Sequence, residues 1–114
     1  MTGPAGEHPR FRLESELAHP VRFSIMAALA AVENMAFGDL RDELQVSDSV
    51  LSKQTAELER SGFVEVAKGF VGKRPRTTLS LTRDGLARWR GHLDSLRQIT
   101  AGSLGGRGAG SSGG

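Results

Sequence analysis

Four cations, Lys68, Lys73, Arg74 and Arg76, fall within nine residues that contain no acid. Ammonium and guanidinium groups at that density suit a run of phosphates, and arginine also fits a narrow minor groove. An upstream stretch, VSDSVLSKQ from Val46 to Gln54, offers a different chemistry. Ser47, Ser49 and Ser52 carry short hydroxyls that permit close approach, while Lys53 and Gln54 reach far enough to bond base edges. A plainer account makes Ser47 a helix cap, the other polar residues a solvated face, and Lys and Pro guards of a strand edge. That account covers one or two of the four downstream charges and leaves the rest unexplained. Asp48, Glu57 and Glu59 argue against a phosphate grip along the whole helix. Asp48 suits the positive helix end or a cytosine amino group. Arg83, Arg88 and Arg90 are open between phosphate contact and flanking a subunit seam, and Arg22 reads as structural.

Other chemistries find little support. His8, His19 and His92 are scattered, cysteine is absent, and no glycine-rich phosphate loop stands between a strand and a helix. No serine sits in a nucleophile-elbow motif. We therefore expect no catalysis, no cofactor, no metal and no disulfide. No apolar run approaches the ~18 residues of a membrane span, and the N-terminus has no charged-then-apolar leader pattern. A cytoplasmic protein is expected. Charge is unevenly placed: residues 1–66 hold 6 Lys/Arg against 11 Asp/Glu, and residues 67–114 hold 9 against 2. A basic half on a chain of net charge +2 points to a directional polyanionic partner. Arg outnumbers Lys 12 to 3 in a chain with much alanine and glycine, a hint of a GC-rich bacterial genome.

The elements that would position these residues follow from periodicity. His19-Pro20 starts a helix to about Val32, with Val21, Ile25, Met26, Leu29 and Val32 on one face. Met35-Ala36-Phe37 suits a small strand. A second helix spans about Gly38 to Leu44, and Gln45-Val46 turns the chain. Ser47 caps a third helix to about Arg60, with Val50, Leu51 and Leu58 facing inward and Thr55 between them. Gly62 suits the left-handed position after its end. Phe63 to Phe70 and Thr77 to Leu81 read as two strands joined through VGKRP, a β-hairpin. Thr82 caps a last helix from Arg83 to about Ile99, into which Gly85 brings close packing against the hairpin. Leu86, Trp89, Leu93, Leu96 and Ile99 recur on it at spacings near those of a coiled-coil seam, which predicts a homodimer. The alternative is burial of that stripe on the chain's own first helix. Residues 1–11 read as a flexible arm, 12–100 as one folded domain, and 101–114, AGSLGGRGAGSSGG, as a disordered Gly/Ser-rich tail. The fold expected is mainly α with a β-hairpin wing, a winged helix-turn-helix.

LRDELQVSDSVLSKQTAELERSGFVEV resembles the helix-turn-helix of MarR/ArsR-like winged-helix transcriptional regulators. LAHPVRFSIMAAL is similar to their first helix, and GKRPRTTLSLTRDG to their wing strand and the start of the last helix. The likeness covers about residues 13–98 and is closest to a compact winged-helix DNA-binding domain subgroup. It implies a sequence-specific regulator that binds double-stranded DNA. Ser47, Ser49, Ser52, Lys53 and Gln54 would lie in the major groove, with Ser49, Lys53 and Gln54 at base edges. Lys68, Lys73, Arg74 and Arg76 would lie on the flanking backbone. It also implies a possible small-molecule or protein effector. Gln45 stands where the family often has glycine, which suggests a different turn shape. Thr55 stands where a larger apolar residue is common, which suggests looser packing. The competing function is a winged-helix protein-docking module without specific DNA binding. The basic hairpin favours DNA, and the scarcity of exposed aromatics disfavours single strands.

Overall fold

His19 and Pro20 open the first long helix as their chemistry dictates. In the computed structural model, helix α1 spans Pro20–Ala30, and the His19 Nδ1 accepts the Val21 N–H at 3.1 Å. Residues 7–111 are described, with side chains described through residue 102. Parts of the expected arm and tail, residues 1–6 and 112–114, lie outside the described residues. One unit spans Ser15–Arg88; the other joins the residues before Ser15 to the last helix from Trp89 on.

Within the first unit, Ile25, Met26 and Leu29 of α1 are buried. Val32, expected on that face, lies beyond the helix end and is exposed. Strand β1 is Met35–Ala36, and Phe37 begins α2, Phe37–Leu44. Helix α2 ends on Gln45 at φ 56° and ψ 47°. The Gln45 and Val46 N–H groups bond back to Asp42 O and Arg41 O, each at 3.3 Å. That is the glycine-type closure of a helix, held here by a side chain at a cost of roughly 1 kcal/mol. The expected change of turn shape does not occur, because the two closing hydrogen bonds outweigh the strain.

Helix α3 is Asp48–Arg60, with the Ser47 Oγ accepting the Val50 N–H at 3.1 Å. Leu51, Gln54, Thr55 and Leu58 are its buried residues, an i, i+3, i+4, i+7 stripe. Burial of each leucine contributes about 1.5–3 kcal/mol. Val50, expected inward, sits one position off that stripe and is exposed. The helix closes on Gly62 at φ 85°, with Phe63 N–H bonded to Leu58 O at 2.9 Å.

Strands β2, Val64–Val71, and β3, Arg74–Leu81, form an antiparallel hairpin, and the sheet order is β1-β3-β2. The pairing continues to Val71↔Arg74, so the turn is only Gly72-Lys73, tighter than the expected VGKRP. Gly72 takes φ 64°, the positive value such two-residue turns require. Helix α4 runs Arg83–Ser111. The Thr82 Oγ1 caps its start, accepting from Gly85 N–H at 2.7 Å and donating to Gly62 O at 2.7 Å. A Cβ at Gly85 would lie 2.0 Å from Phe63 O, which is the close packing expected there. The order of elements is that of a winged helix-turn-helix, mainly α with a hairpin wing, as expected.

In the second unit, the Glu14 N–H donates to the His92 Nδ1 at 3.0 Å, and Arg12 donates to the Gln98 Oε1 at 2.6 Å. Burial holds the His92 pKa below the usual histidine range, against a smaller upward pull from Glu14. Upstream, His8 caps a short 3-10 turn, Pro9–Arg12. The expected tail, residues 101–114, is described only as α4 backbone as far as Ser111.

Candidate nucleic-acid interface

Helix α3 owes its orientation to both ends. At its start, Arg41 donates to Asp48 Oδ1 and Asp42 Oδ1, each at 2.9 Å, and these bonds raise the arginine's pKa, that to Asp42 most. Asp48 thus joins the helix to α2, a role additional to the dipole. At its far end, Arg60 bonds Glu57 and holds that carboxyl below its usual range. The distal acids and base of α3 are therefore partly engaged with each other.

The exposed positions of the first half are Ser47, Asp48, Ser49, Val50, Ser52 and Lys53. Four of the five polar residues expected on this face are on it. Ser47 and Ser49 share a hydroxyl–hydroxyl hydrogen bond of 3.2 Å that positions both. Ser52 turns toward a groove of about 370 Å³ between α3 and the hairpin, lined also by Ala56, Glu59, Val66, Lys68 and Thr77. Thr55 lines the same groove, and its hydroxyl bonds Leu51 O at 2.9 Å instead of reaching outward.

Gln54 requires a correction. It is 8% exposed, and its Oε1 accepts from Arg22 Nε at 2.8 Å. Arg22 in turn bonds Glu16 Oε1 at 2.7 Å and Glu16 O at 3.1 Å. The amide that was expected at a base edge instead ends a buried polar chain. The signal was present in the sequence: Gln54 occupies the i+3 position of the stripe begun by Leu51. Arg22 is structural, as expected.

The hairpin divides the four expected cations. Residues paired across an antiparallel ladder share a face, and successive residues alternate. Lys68↔Thr77 and Phe70↔Pro75 therefore continue the face of Val64↔Leu81 and Val66↔Leu79. Val71↔Arg74 and Gly69↔Arg76 occupy the other. Lys68 faces the α3 groove, Arg74 and Arg76 face away from it, and Lys73 stands in the turn. Lys68, Lys73, Arg74 and Arg76 are all exposed and make no ion pair among the described residues. Two apolar residues were missed as surface: Phe70, read with the core aromatics, is 72% exposed, and Val71 is 56% exposed. Their place past the last buried pair, Val66↔Leu79, explains it.

On α4, Arg88 is resolved as structural: it donates to Ser61 O at 2.9 Å and lies 3.8 Å over the Phe63 ring. Arg83 and Arg90 remain exposed. Of the expected seam, Leu86, Leu93, Leu96 and Ile99 are half-buried, whereas Trp89 is only 5% exposed within a single chain. Trp89 therefore cannot supply its expected share of a subunit contact, because its surface is already covered. Among the described residues, no three histidine, cysteine or carboxylate groups stand close enough to hold a metal ion, and no helix is long and apolar enough to cross a membrane.

The family described as Winged helix DNA-binding domain matches residues 21–100. A protein of Methanocaldococcus jannaschii described as uncharacterized is 29% identical over 80 residues, which is 70% of this chain and 87% of that one. The structure of a transcriptional regulator homologue from Pyrococcus horikoshii is similar with a TM-score of 0.74 and 29% identity, over 79% of this chain and 89% of that one. A mutant MarR from E. coli is similar with a TM-score of 0.66 and 19% identity, over 85% of this chain and 73% of that one. A helix-turn-helix with a capped and partly polar helix, a basic hairpin and these likenesses lead to one assignment: the chain belongs to the winged helix DNA-binding domain family, with the fold of the MarR-like transcriptional regulators.

Proposed function

We propose that this protein is a sequence-specific regulator that places the first half of α3 in the major groove of double-stranded DNA and its wing on the flanking backbone. The observation that carries the reading is the wing: nine successive exposed residues, Lys68 to Arg76, with four cations and no acid. Ser49 and Lys53 are the residues assigned to base edges, with Ser47 and Ser52 at the groove walls and Gln54 behind them holding the helix in place. Arg74 and Arg76 take phosphates on one side of the wing, and Lys68 faces the helix from the other.

The active species is a homodimer that reads two half-sites about one helical turn apart, joined through Leu86, Leu93, Leu96 and Ile99 of α4. Such a regulator works in the cytoplasm. Light scattering at ~10 μM should give twice the 12.2 kDa chain mass. A single species at the chain mass removes the dimer.

The test of DNA binding is titration of a random fluorescent duplex from low to physiological salt. A dimer engaging roughly 6–8 phosphates should lose affinity with a log–log slope near −0.9 per phosphate. Absence of binding at low salt would instead make the protein a docking module for other proteins.

A further inference from the structure

The wing tip carries an apolar surface that phosphate contacts do not use. Phe70 is 72% exposed and pairs across the ladder with Pro75, and Val71 beside it is 56% exposed. Nothing stands within 4 Å of where a Cβ would sit at Gly69 or Gly72, so the tip projects clear of its own chain. A bare phenylalanine at a strand end is an aggregation hazard that sequences ordinarily blunt with charge. Here the charge is supplied with one sign only, by Lys68, Lys73, Arg74 and Arg76. The register places Phe70 and Pro75 on one face of the hairpin and Arg74 and Arg76 on the other. The turn that joins them is only two residues long, which keeps the tip narrow.

An apolar residue on a narrow, rigid, purely cationic projection has a chemistry that matches one kind of surface. Phosphates draw the tip in, and the deoxyribose walls and exposed base-step edges of a minor groove accept the hydrocarbon. An apolar cleft on a protein would satisfy Phe70 but would also need acids arranged around it. We propose that Phe70, backed by Pro75, is a wedge that enters the minor groove of a duplex whose phosphates are held by Arg74 and Arg76. This rests on the reading of the protein as a DNA binder and extends it. The wedge contributes affinity that does not depend on counterion release, in contrast to the arginines. It also makes the wing sensitive to how readily a base step opens, so the helix is not the sole source of sequence preference.

Two variants of the full chain, Phe70→Ala and Phe70→Trp, test the proposal on a random duplex. Both positions of the change are exposed, and circular dichroism checks that the fold is intact. Phe70→Ala should weaken binding roughly tenfold while leaving the log–log salt slope unchanged, since no cation is removed. In Phe70→Trp, acrylamide should quench the added indole freely without DNA and several-fold less in the saturated complex. Wild type, with Trp89 alone, provides the baseline. If the duplex binds but Phe70→Ala keeps wild-type affinity, or the indole stays open to acrylamide, the wedge is wrong and the DNA reading stands. An indole already shielded before DNA is added places the tip against a second copy and overturns the wedge. Failure of the wild type to bind any duplex removes both readings together.

Discussion

Helix α3 and the β2–β3 wing both present cations to solvent, but the two are built differently. Half of α3 belongs to the core: Leu51, Gln54, Thr55 and Leu58 are buried, and Asp48 and Glu57 are each paired with an arginine. Its exposed chemistry is limited to what one face can hold, chiefly Ser49, Ser52 and Lys53. Beyond Val66 the wing buries almost nothing, and all residues from Lys68 to Arg76 are exposed. A side chain held by packing can discriminate between bases because its position is set in advance. A charged hairpin free of internal pairs can follow a backbone, but reads no bases by charge alone. The difference assigns specificity to the helix, salt-dependent affinity to the wing, and to Phe70 a salt-independent contribution between them.

The largest way to break this contrast is to remove the foundation that both regions share. Gly85→Ala puts a Cβ against Phe63 O, where the backbone of the β2 start has no room to yield. Loss of about 3 kcal/mol is expected, seen as a drop in melting temperature with both DNA functions impaired. Normal stability would show that α4 can shift without disturbing the wing. Next comes the wing alone. Arg74→Ala with Arg76→Ala should weaken every duplex by roughly thirtyfold at low salt and flatten the log–log slope by about 1.8, with melting unchanged. A loss confined to one sequence would move base reading to the wing.

The helix gives a finer test. Gln54→Ala should cost about 1–2 kcal/mol of stability by stranding Arg22, without altering which base is preferred. Lys53→Ala should do the reverse, changing preference at one position by roughly tenfold with little effect on melting. A shift of preference from Gln54→Ala would restore that residue to the reading face. Gln45→Gly relieves the left-handed strain and should raise stability by about 1 kcal/mol. If binding falls as stability rises, the strained turn is what sets the angle of α3.

The smallest effect belongs to a control away from both surfaces. His92 is held neutral by burial, and its Nδ1 accepts from Glu14 N–H. Its folded pKa is below the unfolded value, so at acid pH the unfolded chain binds the extra proton. Stability should therefore be complete well above pH 6.5 and decline as pH falls below it. His92→Gln should lessen that decline and leave the salt slope as it is. A change in DNA slope from this variant would mean that the two regions are not the whole of the interface.

Much of this was legible in the residues themselves. Caps at His19, Ser47 and Thr82, the closing Gly62 and the apolar periodicities are local in origin, each set by a few neighbouring atoms. So are the order of elements, the basic run and the absence of acids within it. What needed the tertiary structure was which side of an element each polar residue takes. Gln54 lies one residue from Lys53, yet a helix turns about 100° per residue, and Arg22 on another helix supplied the partner that made burial tolerable. Trp89 continued the spacing of the seam residues, but spacing does not say which of them the chain covers by itself. Phe70 looked like core because phenylalanine usually is, and only the length of the ladder past Leu79 shows that nothing lies over it. The split of Lys68 from Arg74 and Arg76 depends on register, which a one-residue slip would have inverted. The sequence by itself determined the elements and their charge, because those follow from neighbours along the chain. The tertiary structure decided exposure, because that depends on residues distant in sequence.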